Sequence, residues 1–255
     1  MSHSPFFFPP STRTQALVGA PTVTILAGGL GTRLRSVVTD RPKVLADVAG
    51  RPFLSYWLEA LGTQGFKNVV LCTGHLSDQV ARCFGFSYGP LKLQYSVEES
   101  PRGTGGALRL ANSQVDTDSV LVLNGDSFCE VDLAGFWRAH VERRAKASMV
   151  LHYQEDTRRF GRVTMMPDSR LENFLEKGDL VRPGWINAGI YLLPKAWIEA
   201  IPEGREVSLE RDLLPGWLAG GIYGYPSSGR FIDIGTPESF AQAGEFFAGD
   251  RRLAP

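Results

Sequence analysis

The run Val120-Leu121-Val122-Leu123 is apolar at every position. A strand buried on both faces reads this way, whereas a strand on a half-solvated sheet alternates. Such a strand needs cover on both sides, and the neighbouring segments can supply it. Val23 to Leu26 and Val69 to Leu71 are further short β-rich runs, and Leu91 to Val97 alternates as a third strand. Helical patterns lie between them. Phe53, Leu54, Trp57, Leu58 and Leu61 recur at helical spacing behind Pro52, which suits a first helical position. Leu76 to Phe84, Gly105 to Ala111 and Leu133 to Ala145 follow, the last with Phe136, Trp137 and Val141 on one side. Strand–helix–strand repetition implies right-handed crossovers and a mainly parallel sheet with helices on both faces, an α/β, Rossmann-like three-layer αβα architecture.

After about residue 150 the pattern loosens. Ser148 to Tyr153, Arg162 to Met166 and Ile186 to Leu193 read as strands joined by longer loops, with helices expected around Leu209 to Leu218 and Glu238 to Phe247. Thr236 can cap that last helix, and Pro237 fits its first turn. One domain over residues 21–250 is expected, its smaller substrate-facing part after about 150.

The 27 Lys and Arg residues balance 27 Asp and Glu residues. Bulk electrostatic capture of nucleic acid or of an anionic membrane is not expected, so basic clusters must act as local sites. Cys72, Cys83 and Cys129 are odd in number and lack CxxC spacing, which reads as reduced cytoplasmic thiols rather than zinc ligands or disulfides. No apolar run reaches the length of a membrane span. Residues 1–20 carry Phe6-Phe7-Phe8 and Pro9-Pro10 without a basic n-region, and read as a flexible or interface-forming extension. Phe6 to Phe8, with Phe246 and Phe247, are candidates for a homodimer contact.

The first strand runs into Ala27-Gly28-Gly29-Leu30-Gly31-Thr32-Arg33-Leu34, with Arg41-Pro42-Lys43 close behind. Small residues let backbone approach a ligand closely, and Arg33 and Lys43 add two permanent cations. A nucleoside triphosphate fits that combination. A dinucleotide fingerprint would need a third Gly where Leu34 stands, and a P-loop would need Lys followed by Ser or Thr where Thr32 is followed by Arg33.

The segment Thr22 to Lys43 resembles the signature of the sugar-phosphate nucleotidyltransferases, or nucleotide-sugar pyrophosphorylases. Gly103-Thr104-Gly105-Gly106-Ala107-Leu108 resembles the family's nucleobase-binding turn, and Leu123-Asn124-Gly125-Asp126 its metal-binding strand end. Glu176-Lys177 resembles its sugar-phosphate pair, Asn187-Ala188-Gly189-Ile190-Tyr191 its sugar-binding strand, and Asp233-Ile234-Gly235-Thr236-Pro237 its second metal site. The motifs keep the family's order. The resemblance implies the nucleotide-diphospho-sugar transferase fold, without an appended C-terminal β-helix. It implies nucleotide contacts from Leu26, Ala27, Gly28, Gly29, Gly31, Thr32, Glu98, Gly103 and Thr104, largely within residues 21–150. Sugar contacts are implied from Gly125 and, in residues 151–250, from Glu176, Asn187 and Gly189. Arg33, Lys43 and Lys177 would act on the phosphates, and Asp126 and Asp233 would hold Mg²⁺. The reaction would be attack of a sugar 1-phosphate oxygen on the α-phosphorus of the triphosphate. Its nucleophile is already an anion and needs no general base, which fits four histidines lying outside all these motifs. His75 is read as a surface or core residue rather than part of the nucleotide pocket.

Glu98 or Glu99 could accept the N1–H and N2–H₂ donors of guanine, though uracil also offers an N–H. Arg33-Leu34-Arg35-Ser36-Val37-Val38 and Leu123-Asn124-Gly125-Asp126-Ser127 resemble the guanylyltransferases for D-glycero-D-manno-heptose 1-phosphate. Mannose, glucose or N-acetylmuramate 1-phosphate, with GTP, UTP or dTTP, are the alternatives within the class. A regulatory subunit that binds nucleotide sugars without catalysis is the alternative outside it, and a dinucleotide-binding module is disfavoured.

Overall fold

The structure is a computed structural model that describes residues 17, 19–29, 31–34, 37–175 and 181–248. Nine strands form the body of its main sheet: β1 (Thr22–Leu26), β2 (Asn68–Thr73), β3 (Leu91–Val97), β4 (Ser119–Asn124), β5 (Ala147–Gln154), β6 (Arg162–Met165), β7 (Leu171–Leu175), β8 (Gly184–Pro194) and β9 (Ile222–Ser227). Strands β4, β1, β2 and β3 lie side by side and parallel, with Val23 opposite both Leu121 and Val69. Helices α1 (Leu54–Thr63), α2 (Ser77–Phe84) and α3 (Gly103–Ala111) make the crossovers between them.

The continuous apolar run behaves as a doubly buried strand must. Leu121 and Leu123 face one hydrophobic cluster with Trp57, Leu58 and Leu61 of α1. Val120 and Val122 face a second cluster with Leu108 of α3. Successive side chains of a strand point to opposite faces, so one four-residue run anchors both helical layers. The mainly parallel three-layer reading holds.

The second half adds antiparallel strands to the same sheet. The C-terminal half of β8 pairs with β4, Ile190 opposite Leu123, while β8 also pairs with β5 along its other edge. Its register shifts between Asn187 and Tyr191, where Gly189 takes φ +74°. Strand β9 runs parallel to β5, and β7 and β6 extend the N-terminal half of β8. A two-stranded ribbon, Ser127–Cys129 against Phe231–Asp233, follows β4 directly in the chain.

Several local expectations are corrected. Pro52 lies in a two-residue strand pairing with Asp47, and α1 begins after Phe53. Helix α4 spans only Leu133–Glu142; it turns Leu133, Phe136 and His140 inward and leaves Val141 half exposed. Lys195–Glu199 forms the short helix α5. The segment expected as one helix near Leu209 is a π-helical turn, Leu209–Leu213, followed by one α-turn and a 3-10 turn. The last helix, α6 (Pro237–Ala248), is capped as expected: the Ser239 N–H donates to Thr236 Oγ1 at 3.3 Å.

Phe246 and Phe247 do not present an open dimer surface. Phe247 is buried, stacked on Tyr56 at 3.6 Å between centroids and edge-on to Phe53 and Phe128. Phe246 is partly buried beneath the Arg230 guanidinium. Phe6 to Phe8 lie outside the described residues.

Candidate active site

The parallel strands end at a cleft of about 580 Å³. Open α/β sheets bind ligands at this carboxyl edge. Beyond β1 the Ala27 N–H still donates to the Cys72 carbonyl at 2.8 Å, so the chain leaves the sheet late and stays close to β2. A Cβ at Gly28 would stand 2.6 Å from Glu98 Oε1, and Gly31 takes φ +58° beside the Lys43 side chain. Gly29 has open space and needs no glycine for packing. The turn Thr32–Leu34 then buries Leu34 and leaves Arg33 exposed on the cleft. Of Thr32 only the backbone is described.

Buried Val44 and Leu45 anchor the turn that opens with Lys43. They hold the Lys43 side chain in the cleft, 11% exposed, with Nζ 2.8 Å from Asp126 Oδ2. Asp126 is placed by β4 through Gly125, whose N–H donates to the Leu26 carbonyl at 2.9 Å. A Cβ on Gly125 would come within 2.7 Å of that same oxygen. Gly125 therefore serves the approach of two strand ends and is not among the residues lining the cleft, whereas Leu26 is.

The ribbon brings Asp233 beside Asp126. Asp233 pairs with Ser127, and the next N–H, of Ile234, donates to the Asp126 carbonyl at 2.9 Å. Burial, and then the Asp126 charge, push the Asp233 carboxyl above its ordinary range; Lys43, the Gly235 N–H and Arg159 partly offset them. Asp233 Oδ1 also accepts from Arg159 Nη2 at 2.9 Å. Two neighbouring carboxylates, Asp126 paired with Lys43 and Asp233 with Arg159, suit a divalent ion. Among the described residues no three His, Cys, Asp or Glu side chains converge. Mg²⁺ needs no such cage, since it keeps waters and takes one or two carboxylates plus phosphate oxygens.

Glu98 lines the cleft half-buried, while Glu99 is exposed and outside it. Burial raises the Glu98 carboxyl, and its Oε2 accepts the Arg102 N–H at 3.2 Å. Gly103 and Thr104 also line the cleft, but their chemistry is largely internal. A Cβ on Gly103 would overlap the Val207 carbonyl oxygen, and that oxygen accepts the Gly105 and Gly106 N–H groups at 2.8 and 3.3 Å. Thr104 Oγ1 donates to Glu210 at 2.8 Å and accepts the Leu209 N–H at 2.7 Å. On the opposite wall Asn187 Oδ1 accepts the Gly189 N–H at 2.9 Å, and Asn187 Nδ2 donates to the Tyr191 hydroxyl at 2.6 Å. These contacts hold the β8 bulge, and Asn187 and Gly189 both line the cleft. His75 is exposed and outside it. Glu176 and Lys177 lie outside the described residues.

Asn124, Arg159, Phe160, Phe174, Glu206, Ser208, Glu210, Arg211 and Phe231 line the cleft without having been expected from sequence. Asn124 sat inside a quoted motif, where a polar residue ending an apolar strand is a readable signal. Arg159 and Glu210 stand in stretches whose local pattern carries none.

Residues 22–249 match the model of the nucleotidyl transferase family. The chain belongs to that family. It is therefore a nucleotidyl transferase, and the family generally uses a divalent metal such as Mg²⁺. The transferase is 37% identical over 220 residues to the D-glycero-alpha-D-manno-heptose 1-phosphate guanylyltransferase of Aneurinibacillus thermoaerophilus, covering 86% of this chain and 95% of that one. It is also 37% identical over 222 residues to a mannose-1-phosphate guanylyltransferase of Mycobacterium tuberculosis, where the match covers 86% of this chain but 62% of the relative. Among solved structures, HddC from Yersinia pseudotuberculosis superposes with a TM-score of 0.79 at 33% identity, over 89% of this chain and 100% of that one. HddC has also been crystallised in complex with GMP-PN. No helix among the described residues is long and apolar enough to cross a membrane.

Proposed function

We propose that this transferase condenses GTP with D-glycero-D-manno-heptose 1-phosphate, giving the GDP-sugar and pyrophosphate. The observation that carries the chemistry is the juxtaposition of Asp126 and Asp233, joined through the Ile234 N–H, across from the glycine loop. In this reading a sugar phosphate oxygen forms a bond to the α-phosphorus, and the bond from that phosphorus to the α–β bridging oxygen breaks. Pyrophosphate carries the electron pair away. Arg33 grips the departing phosphates, for which its planar fork is suited, and Lys43 neutralises the α/β region. Mg²⁺ held by Asp126 and Asp233 would neutralise charge on both reacting phosphates. Lys177 is assigned to the sugar phosphate, and Glu176 and Asn187 to sugar hydroxyls. The part of the chain before about residue 150 would bind the nucleotide and the later part the sugar. Glu98, being in the cleft where Glu99 is not, is the carboxylate assigned to the base. The cytoplasm suits the three free thiols.

The relatives' activities favour guanylyl transfer, and the heptose relative is matched over nearly its full length. Mannose 1-phosphate is the second reading, supported by the Mycobacterium relative, of which this chain spans about three fifths. The test is pyrophosphate release from GTP, UTP and dTTP against heptose, mannose, glucose and N-acetylmuramate 1-phosphates, with and without Mg²⁺. Release from GTP and the heptose phosphate, abolished by chelation, is expected. Release only with mannose 1-phosphate moves the assignment to the second reading. Release with no pair would favour a non-catalytic nucleotide-sugar-binding subunit.

A further inference from the structure

The two walls of the cleft are joined by one carboxylate that has no part in the proposed phosphate chemistry. Glu210 sits in the π-helical turn Leu209–Leu213, a rare conformation that recurs at functional sites. Its Oε2 accepts Thr104 Oγ1 at 2.8 Å and Ser208 Oγ at 3.3 Å. Its Oε1 takes longer bonds from Asn124 Nδ2 at 3.4 Å and the Tyr191 hydroxyl at 3.5 Å. Tyr191 in turn accepts from Asn187, which holds the bulge at Gly189. Thr104 belongs to the wall assigned to the nucleotide, and Asn187 to the wall assigned to the sugar. A single chain of hydrogen bonds thus runs from one wall to the other through Glu210.

Backbone contacts strengthen the nucleotide side of this tie. The Val207 N–H donates to the Arg102 carbonyl at 2.8 Å, while the Val207 carbonyl caps the first turn of α3. Among the described residues the sugar side makes no such backbone contact to the segment, and the coupling there runs through side chains. Tyr191 is fully buried, which makes its hydroxyl dependent on these partners. Among the described residues the buried Asn124 Oδ1 has no partner and so keeps a spare acceptor.

We infer that Glu210 is a positioning residue that sets the distance between the nucleotide turn at Thr104 and the sugar-binding bulge at Asn187. The inference rests on the functional reading above, because only two substrates meeting between these walls make their spacing matter. It acts through its neighbours and touches no reacting atom. A misplacement of about 1 Å between reacting groups costs about 10²-fold in rate.

Glu210→Leu keeps the volume and removes every bond. It is expected to lower kcat about 10²-fold while KM for each substrate moves less than about 3-fold. Amide exchange should quicken at residues 187–191 and stay unchanged in β1 and β2. Glu210→Gln should recover to within about 5-fold of wild-type kcat, because Asn124 Oδ1 can accept the new amide N–H. Unchanged kcat in Glu210→Leu overturns the inference, as does a raised KM for one substrate at unchanged kcat, which would make Glu210 a ligand contact. Faster exchange throughout β1 and β2 also overturns it, since the role would then be general stability. If Glu210→Leu does not fold, Tyr191→Phe carries the test: it must quicken exchange at 187–191 and lower kcat about tenfold, and wild-type behaviour overturns the tie. Failure of the functional reading looks different, because wild-type protein would then release no pyrophosphate with any substrate pair while the exchange difference persists.

Discussion

Asp126→Asn separates charge from structure at the centre of the cleft. The substitution keeps the shape and an acceptor oxygen but removes one negative charge. Its cost to folding follows from two opposing contacts. The Lys43–Asp126 pair at 2.8 Å is lost, yet the Asp126 side chain is 44% exposed, so water screens the pair to about 1 kcal/mol or less. Against this, the repulsion that raises the Asp233 carboxyl is removed. The two effects have opposite signs, so the urea midpoint should move by no more than the equivalent of about 1 kcal/mol in either direction. Turnover should respond far more strongly. Removing one preorganised electrostatic contact to a transition state costs about 10² to 10³ in kcat. Asn is also a poor ligand for a hard divalent ion, so the Mg²⁺ concentration needed for half-maximal rate should rise. Pyrophosphate release measured across a Mg²⁺ titration, alongside urea unfolding of the same preparation, reads both quantities. Turnover within about threefold of wild type, with an unshifted Mg²⁺ dependence, would refute the assignment of Asp126 to the metal.

Three further outcomes follow from the packing. Gly125→Ala places a methyl 2.7 Å from the Leu26 carbonyl oxygen, so the strand ends must part; a stability loss of about 1–3 kcal/mol and a drop in turnover are expected, and unchanged turnover would mean Asp126 needs no such placement. Phe247→Ala empties a site packed by Phe53, Tyr56 and Phe128 and should cost about 3–5 kcal/mol by urea unfolding without changing the mass measured by light scattering. Burial lowers the pKa of His140 from 6.5, so below that pH the unfolded chain takes up protons that the fold resists, and stability falls as pH drops through this window. Unfolding midpoints at pH 7.5 and 5.5 should therefore differ less in His140→Asn than in wild type; an equal difference would assign the acid sensitivity elsewhere.

The parallel half of the fold was legible because its pattern is redundant. Val120 to Leu123 is short, continuously apolar and half β-branched, which favours a doubly covered strand, and the helices around it carry apolar residues at helical spacing. Strand β9 was invisible for a physical reason: Gly224 and Pro226 interrupt its apolar pattern, and both are tolerated because its one full ladder is with β5, while its other edge meets only the Ser169–Arg170 turn through the Gly224 N–H and a lone Tyr223–Arg170 bridge. Strand β7, Leu-Glu-Asn-Phe-Leu, fits neither a period of two nor a helical face cleanly. Val141 and His140 exchanged places because helical spacing ranks residues by hydropathy, while α4 meets β5 through the bond from His140 Nδ1 to Ser148 Oγ at 2.9 Å. At the site, motifs located the glycine loop, Asp126 and Asp233. They could not reveal that Gly103 and Gly105 make room for Val207 and Leu213, since a glycine that admits protein and one that admits ligand read alike.

On the proposed reading, the charge inventory of the cleft favours a metal there over further basic residues. Among the described residues, Arg33, Lys43, Arg159 and Arg211 line it against Glu98, Asp126, Glu206, Glu210 and Asp233. Two of the cations are already held by carboxylates, Lys43 by Asp126 and Arg159 by Asp233. Such a wall carries no surplus of positive charge before substrate arrives and would leave the mutual repulsion of a bound triphosphate and sugar phosphate without an offset. A divalent ion taken up by Asp126 and Asp233 would release Lys43 and Arg159 from those carboxylates and add two positive charges of its own. Both freed side chains line the same cleft and could turn to the phosphates. The acidic pair would thus keep the site balanced when empty, and recruit three sources of positive charge when both anions are in place.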